Sequence, residues 1–201
     1  RKQGVQITSE IEEFFKLCPS KIIAVTGSDG KTTTTSIIAE LLKAQGKRVF
    51  LGGNIGAPLL PRVMDITKDD IAVAELSSFQ LISMKMSPST AVITNIAPNH
   101  LDVHKDMEEY INAKKNIFTH QKPNDRLVLN FENDITRSFV NEAAGEVITF
   151  GHDISSDNCV FVDNGVVSSY KNGVKSPLFA VRDIRIPGDH NVQNYMAAAA
   201  A

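Results

Sequence analysis

Short apolar runs alternate along most of the chain with stretches in which apolar residues recur every three or four positions. The runs at 22–25, 49–51, 71–74, 91–94, 127–129 and 147–150 are continuous rather than alternating, the pattern of strands buried on both faces. After the first run, Ile37, Ile38, Leu41 and Leu42 fall at helical spacing, and Gly46 stands where a C-terminal cap glycine belongs. A second helix is predicted over 107–118, with Tyr110 and Lys114 on one face at i, i+4 spacing, and another near 135–144. Ahead of the first run, Ser9 and Glu12 form a capping box that opens a short helix containing Ile11, Phe14, Phe15 and Leu17 and closed by Pro19. Residues 1–20 read as a lead-in or interdomain linker. Strand and helix in alternation predict an α/β fold: a mostly parallel, doubly wound P-loop-type sheet with flanking helices.

The pattern changes after Gly151. Runs at 159–162, 166–170 and 176–186 are joined by Asp163-Asn164-Gly165 and Lys171-Asn172-Gly173, and Asn-Gly is the strongest short-range hairpin signal. A small antiparallel meander over about 157–186 is expected beside the main sheet. Pro187-Gly188-Asp189-His190-Asn191 then opens a last helix that carries Asn194 and Tyr195 into an alanine run at 197–201.

Polar residues with chemical potential collect just after the apolar runs. Thr26-Gly27-Ser28-Asp29-Gly30-Lys31-Thr32 follows the first strand and opens the first long helix. Glycines there let backbone N–H groups approach an anion, and the helix N-terminus adds partial positive charge. Lys31 can reach β/γ-phosphates, and the Thr32 hydroxyl can ligate Mg²⁺. The spacing between the two glycines is shorter than in the common phosphate loop, which points away from small GTPases and general ATPases. Glu75 ends the third run, the position of a second Mg²⁺ anchor beside such a loop. Asn54, set among Gly52, Gly53 and Gly56, is presented at the carboxyl edge of the sheet, where open α/β sheets bind ligands. His100 follows the fourth strand and joins the same edge. Asn191 and Asn194, three apart on one helix face, either read an adenine edge or cap and turn the chain.

Composition narrows the field. The chain has 201 residues and a formal net charge of −2, which gives no electrostatic case for nucleic acid. Cys18 and Cys159 sit in no CxxC or Cys/His cluster and read as reduced cytoplasmic thiols. No apolar run approaches membrane-spanning length. With no initiator Met and a last helix still running at the final residue, the chain reads as a piece of a longer protein.

Six motifs in order, T-G-S-D-G-K-T-T-T, G-G-N-I-G-x-P, E-L-S-S-F-Q-L, N-x-x-P-x-H-L-D, Y-x-x-A-K and P-G-x-H-N-x-x-N, resemble the central ATP-binding domain of the Mur ligases from about Ile22 onward. Asp29 stands where the family more often has Asn. Within the family, the G-G-N-I-G and E-L-S-S-F-Q strings are most similar to the member that joins D-glutamate to UDP-N-acetylmuramoyl-L-alanine in peptidoglycan precursor synthesis. The resemblance implies that ATP phosphorylates the substrate carboxylate and that the D-glutamate amine attacks the acyl phosphate to form an amide. It implies that Gly27, Ser28, Asp29, Gly30, Lys31, Thr32 and Thr33 hold the phosphates, and that Asn191 and Asn194 lie on the adenine side. Thr32 and Glu75 would ligate one Mg²⁺ and His100 would help hold a second. Lys114 matches a lysine carbamylated by CO₂, an anion able to serve the metal site. Asn54, Ser77 and Gln80 would contact the muramoyl substrate. The resemblance also implies flanking domains, an N-terminal one for the UDP group and a C-terminal one that closes over ATP, and an isolated middle piece that does not complete the ligation. Other Mur ligases, folylpolyglutamate synthase and a plain phosphate-loop module share the loop and stand as alternatives. The last of these would need neither His100 nor the Lys114 helix.

Overall fold

The computed structural model describes residues 8–98 and 105–201. Among these described residues nine strands follow one another as β1 (Lys21–Thr26), β2 (Val49–Gly53), β3 (Ile71–Glu75), β4 (Thr90–Ile93), β5 (Arg126–Asn130), β6 (Glu146–Phe150), β7 (Asn158–Asp163), β8 (Val166–Lys171) and β9 (Val174–Ala180). The helices are α1 (Glu10–Leu17), α2 (Lys31–Ala44), α3 (Ser78–Leu81), α4 (Met107–Lys115), α5 (Asp134–Ser138) and α6 (Asp189–Ala200). All six buried runs are strands, pairing in parallel in the order β2-β3-β1-β4-β5-β6. The chain leaves β1 for the β2 edge and later returns on the opposite side at β4. That reversal makes the tips of β3, β1 and β4 the switch point of the sheet.

Alternate residues of each strand feed opposite faces. Ile22 and Ala24 of β1 join Phe50, Ala72, Ile93 and Leu129 in a core covered by α1 and α4. Ile23 and Val25 join Val73, Val92, Val128 and Ile148 in a second core, covered by α2 and α6. Helices on both faces explain why the runs are continuously apolar. Helix α2 stops where Gly46 takes a φ of 79°, and the Gly46 and Lys47 amides donate to Lys43 and Leu42 carbonyls, which closes the last turn.

Two expected bounds are corrected. The antiparallel meander itself forms and continues the main sheet: β7 pairs in parallel with β6, and β8 and β9 extend it antiparallel, through turns with Asn164 and Asn172 at positive φ. Its third run ends as a strand at Ala180, where a 3₁₀ turn over Val181–Asp183 takes the chain off the edge. The helix foreseen near 135–144 is α5 followed by a 3₁₀ turn over Phe139–Glu142, which brings Phe139 into contact with the Phe118 ring. Helix α1 forms as expected, with the Ser9 hydroxyl accepting the Glu12 amide at 3.2 Å, and it packs against the sheet. It buries Ile11, Phe14 and Phe15 in the first core, and Glu10 accepts the Leu60 amide at 2.7 Å.

Candidate functional site at the strand tips

The loop after β1 is clamped from the tip of β4. Gly27 lies so close to Thr94 that a Cβ would fall 1.9 Å from its hydroxyl, so only glycine fits. The Ser28 amide donates to the Asn95 carbonyl at 2.9 Å and the Asp29 amide to the Asn95 side chain at 3.0 Å. Thr94 returns a bond to the Asp29 carbonyl at 2.6 Å. Ser28 is buried, with its hydroxyl 3.0 Å from the Tyr110 hydroxyl and 2.9 Å from the Ala97 carbonyl it donates to. Two loop amides are therefore committed to Asn95 instead of an incoming anion. The open donors belong to the N-terminus of α2, which Gly30 leads at φ 78° with no side-chain cap. The Asn95 clamp is not evident in the apolar pattern, and its only sequence signal is the N-x-x-P spacing after β4.

Lys31 and Thr32 occupy the first turn of α2 and diverge. The Lys31 ammonium curls back to donate to the Gly27 carbonyl at 3.0 Å and the Ser28 carbonyl at 2.8 Å. The Thr32 hydroxyl donates to Glu75 Oε2 at 2.7 Å, and Asn54 Nδ2 donates to Glu75 Oε1 at 2.8 Å. One buried carboxylate at the tip of β3 thus joins the first turn of α2 to the glycine-flanked Asn54. Thr33 completes the turn, half-buried.

Lys114 crosses the sheet edge from α4 to the same loop. It is 2% exposed, donates to the Gly27 carbonyl at 2.8 Å, and stands 4.7 Å from the centre of the Tyr110 ring. Burial, with the Lys31 charge nearby, pulls its pKa down to about 7. A lysine on helix α4 is an ordinary surface residue by spacing alone, and the resemblance alone singles it out.

Two hollows flank the loop. The smaller, about 200 Å³, is lined by Gly27, Lys31, Asn54, Ser77, Phe79 and Lys114. The larger, about 380 Å³, opens on the other side between Asp29, Gly30, Asn95 and Phe150 and the His190, Gln193 and Asn194 side of α6. Ser77 lines the smaller hollow as the N-cap of α3. Gln80 serves that cap, its side-chain oxygen accepting from the Ser77 amide at 2.9 Å. The two asparagines of α6 divide their work. Asn191 donates to the Pro187 carbonyl at 2.7 Å and turns the chain, while Asn194 borders the larger hollow and accepts from the Thr34 hydroxyl at 3.2 Å. They meet at 3.1 Å. His100 lies outside the described residues. Among the described residues no group of three or more His, Cys, Asp or Glu could hold a metal ion, and Cys18 and Cys159 are both free. No helix of the described residues is long and apolar enough to cross a membrane.

The chain is 52% identical over its whole length to the UDP-N-acetylmuramoylalanine–D-glutamate ligase of Acetivibrio thermocellus, covering 43% of that protein. It is 47% identical to the enzyme of the same name from Clostridium acetobutylicum, again covering 43%. The chain thus spans less than half the length of these curated relatives. Among solved structures, a UDP-N-acetylmuramoyl-L-alanyl-D-glutamate–2,6-diaminopimelate ligase superposes with a TM-score of 0.70 at 22% identity, over 90% of this chain and 42% of that one. MurF ligase from Thermotoga maritima in complex with ADP gives 0.66 at 22% identity, over 93% and 46%. At that identity these two show the shared fold. The family model of the Mur ligase middle domain matches residues 25–201, a span that takes in the loop, Glu75, Lys114 and α6, and the chain belongs to the Mur ligase family.

Proposed function

We propose that this chain is the ATP-binding middle domain of a ligase that adds D-glutamate to UDP-N-acetylmuramoyl-L-alanine, with flanking domains of the same protein completing the site. One observation carries the reading: Lys31, Thr32, Glu75, Asn54 and Lys114 converge on one loop at the switch point of the sheet. The names of the relatives supply the amino acid, and the ADP bound by the Thermotoga relative supports a nucleotide here.

The residues fit the groups that the family implies. The uncapped N-terminus of α2 and the Lys31 ammonium suit a polyphosphate, and Gly30 is needed because a Cβ would fall 2.3 Å from Asn194. The larger hollow beside them takes the base, with Asn194 on its wall. The Thr32 hydroxyl and Glu75 carboxylate are hard oxygen donors of the kind Mg²⁺ takes alongside water and phosphate. His100 is assigned to a second Mg²⁺ by the motif alone. As an ammonium Lys114 opposes any cation, but its lowered pKa leaves a neutral amine available near pH 7. The amine adds CO₂ with loss of one proton, forming an N–C bond and a carbamate anion that serves the metal site.

When bound, Mg²⁺ neutralises the phosphoryl oxygens as charge moves toward the leaving group. Lys31 and the α2 amides orient the transferred phosphoryl group. Ser77, held by Gln80, and Asn54, held by Glu75, line the side where the muramoyl carboxylate would approach. The test is phosphate release by the full-length protein. Release that needs both UDP-N-acetylmuramoyl-L-alanine and D-glutamate to continue supports the ligase, and release indifferent to both supports a plain nucleotidase.

A further inference from the structure

Outside the phosphate loop, a second polar cluster joins three elements beside the larger hollow. His152, in the turn between β6 and β7, has Nδ1 2.7 Å from Glu132 Oε1 and Nε2 3.1 Å from Asp189 Oδ1. Glu132 follows β5, and Asp189 opens α6. Glu132 Oε1 also accepts the His152 backbone amide at 2.7 Å, and Oε2 accepts from Gln193 of α6 at 2.8 Å. Gln193 lines the larger hollow with His190 and Asn194.

The geometry favours the charged ring. Ionised carboxylates only accept, and a neutral imidazole donates from one nitrogen only, so both contacts are satisfied together by the imidazolium. Burial alone would lower the His152 pKa, but the hydrogen bonds to Glu132 and Asp189 outweigh it and hold it above the ordinary histidine value. Asp153 lies on the same turn and shares a hollow with Glu132 and Arg137, while Asp134 stands on α5 and His190 on α6. Arg137 is paired with Asp134, and His190 Nε2 contacts Asn191 at 3.1 Å.

We propose that His152 is a positioning residue for the nucleotide hollow: its imidazolium clasps Glu132 to Asp189 and so sets where α6 presents Gln193 and Asn194. The inference rests on the nucleotide reading above and adds a pH dependence to it. With both carboxylates ionised, the contribution of a histidine with a raised pKa is fully present below its unfolded-state value and is lost as pH rises through the folded-state value. Helix α6 has no side-chain N-cap of its own at Gly188, and the clasp adds to the Asn191–Pro187 bond a contact from outside the helix.

The test uses the full-length protein and two readouts. The His152 imidazole is titrated by NMR, and Mg·ATP affinity is measured across pH. The midpoint is expected above that of an exposed histidine, and lower in both Glu132→Gln and Asp189→Asn. Affinity is expected to fall as pH rises through that midpoint. His152→Gln should bind about three- to fivefold more weakly at neutral pH and lack that fall, the scale of one partly exposed charge pair. His152→Arg, which keeps the charge, should retain affinity at high pH. A midpoint at or below that of exposed histidine, or a His152→Gln profile identical to wild type, overturns the clasp alone. Wild-type protein that binds no nucleotide overturns the nucleotide reading and the positioning role with it.

Discussion

Lys31 and Lys114 donate to the same carbonyl oxygen, that of Gly27, from 3.0 and 2.8 Å. Burial disfavours the charged form of Lys114, which is 2% exposed, and the Lys31 ammonium on the same acceptor adds repulsion. Lys114, the more buried, is the one whose pKa falls to about 7. On the proposed reading the two lysines divide the work, Lys31 meeting the phosphates and Lys114 becoming the carbamate.

The proposed carbamate at Lys114 carries a pH signature. A lysine with a depressed pKa is charged below about 7 and neutral above it, so uptake of labelled bicarbonate at Lys114 should rise as pH climbs through about 7 and vanish in Lys114→Ala. Lys114→Ala should lose on the order of a hundredfold in turnover, the usual loss when one electrostatic stabiliser is removed, and recover in part with added short carboxylic acids. Wild-type turnover in the variant would remove Lys114 from the site.

Glu75 holds Thr32 and Asn54 through its two oxygens. Glu75→Gln keeps the size and removes the charge. The Mg²⁺ concentration for half-maximal phosphate release should rise at least about tenfold, with the circular dichroism spectrum unchanged. An unchanged metal requirement would place the cation elsewhere.

At Gly30 the backbone sits at φ 78° and an added Cβ would meet Asn194 Oδ1 at 2.3 Å. Gly30→Ala should therefore cost about 1–3 kcal/mol of stability through strain and weaken nucleotide binding by displacing Asn194. Gly46→Ala is the control, because it too has positive φ but open space around it and stands far from the hollow. Equal nucleotide affinity in both variants would separate Asn194 from the base site.

The buried strands were legible because helices cover both faces of the sheet, which leaves uninterrupted apolar runs such as Ile22 to Val25. The turns with Asn164 and Asn172 were legible for a local reason, the left-handed backbone that Asn and Gly accept. What stayed hidden depends on chain segments far apart. Asn95 takes up the Ser28 and Asp29 amides across more than sixty residues, and the N-x-x-P spacing beside it does not say which amides it meets. The Glu132–His152–Asp189 clasp is likewise formed only when β5, the β6–β7 turn and α6 meet. Lys114 looked like a surface lysine because helix spacing cannot tell which face a loop will cover.

Phe14 makes the same point for the segment read as a lead-in. It is 0% exposed within the first core. Phe14→Ala should cost about 3–5 kcal/mol, read by denaturant unfolding, as for any large core truncation. A cost below about 1 kcal/mol would mean that α1 is detachable.

The most direct measurement is calorimetric titration of the full-length protein with Mg·ATP, wild type against Lys31→Ala. With the phosphates held at the N-terminus of α2, the variant should lose on the order of a hundredfold or more in affinity while its fold, followed by circular dichroism, stays intact. Undiminished affinity in Lys31→Ala would contradict a triphosphate seated at these strand tips.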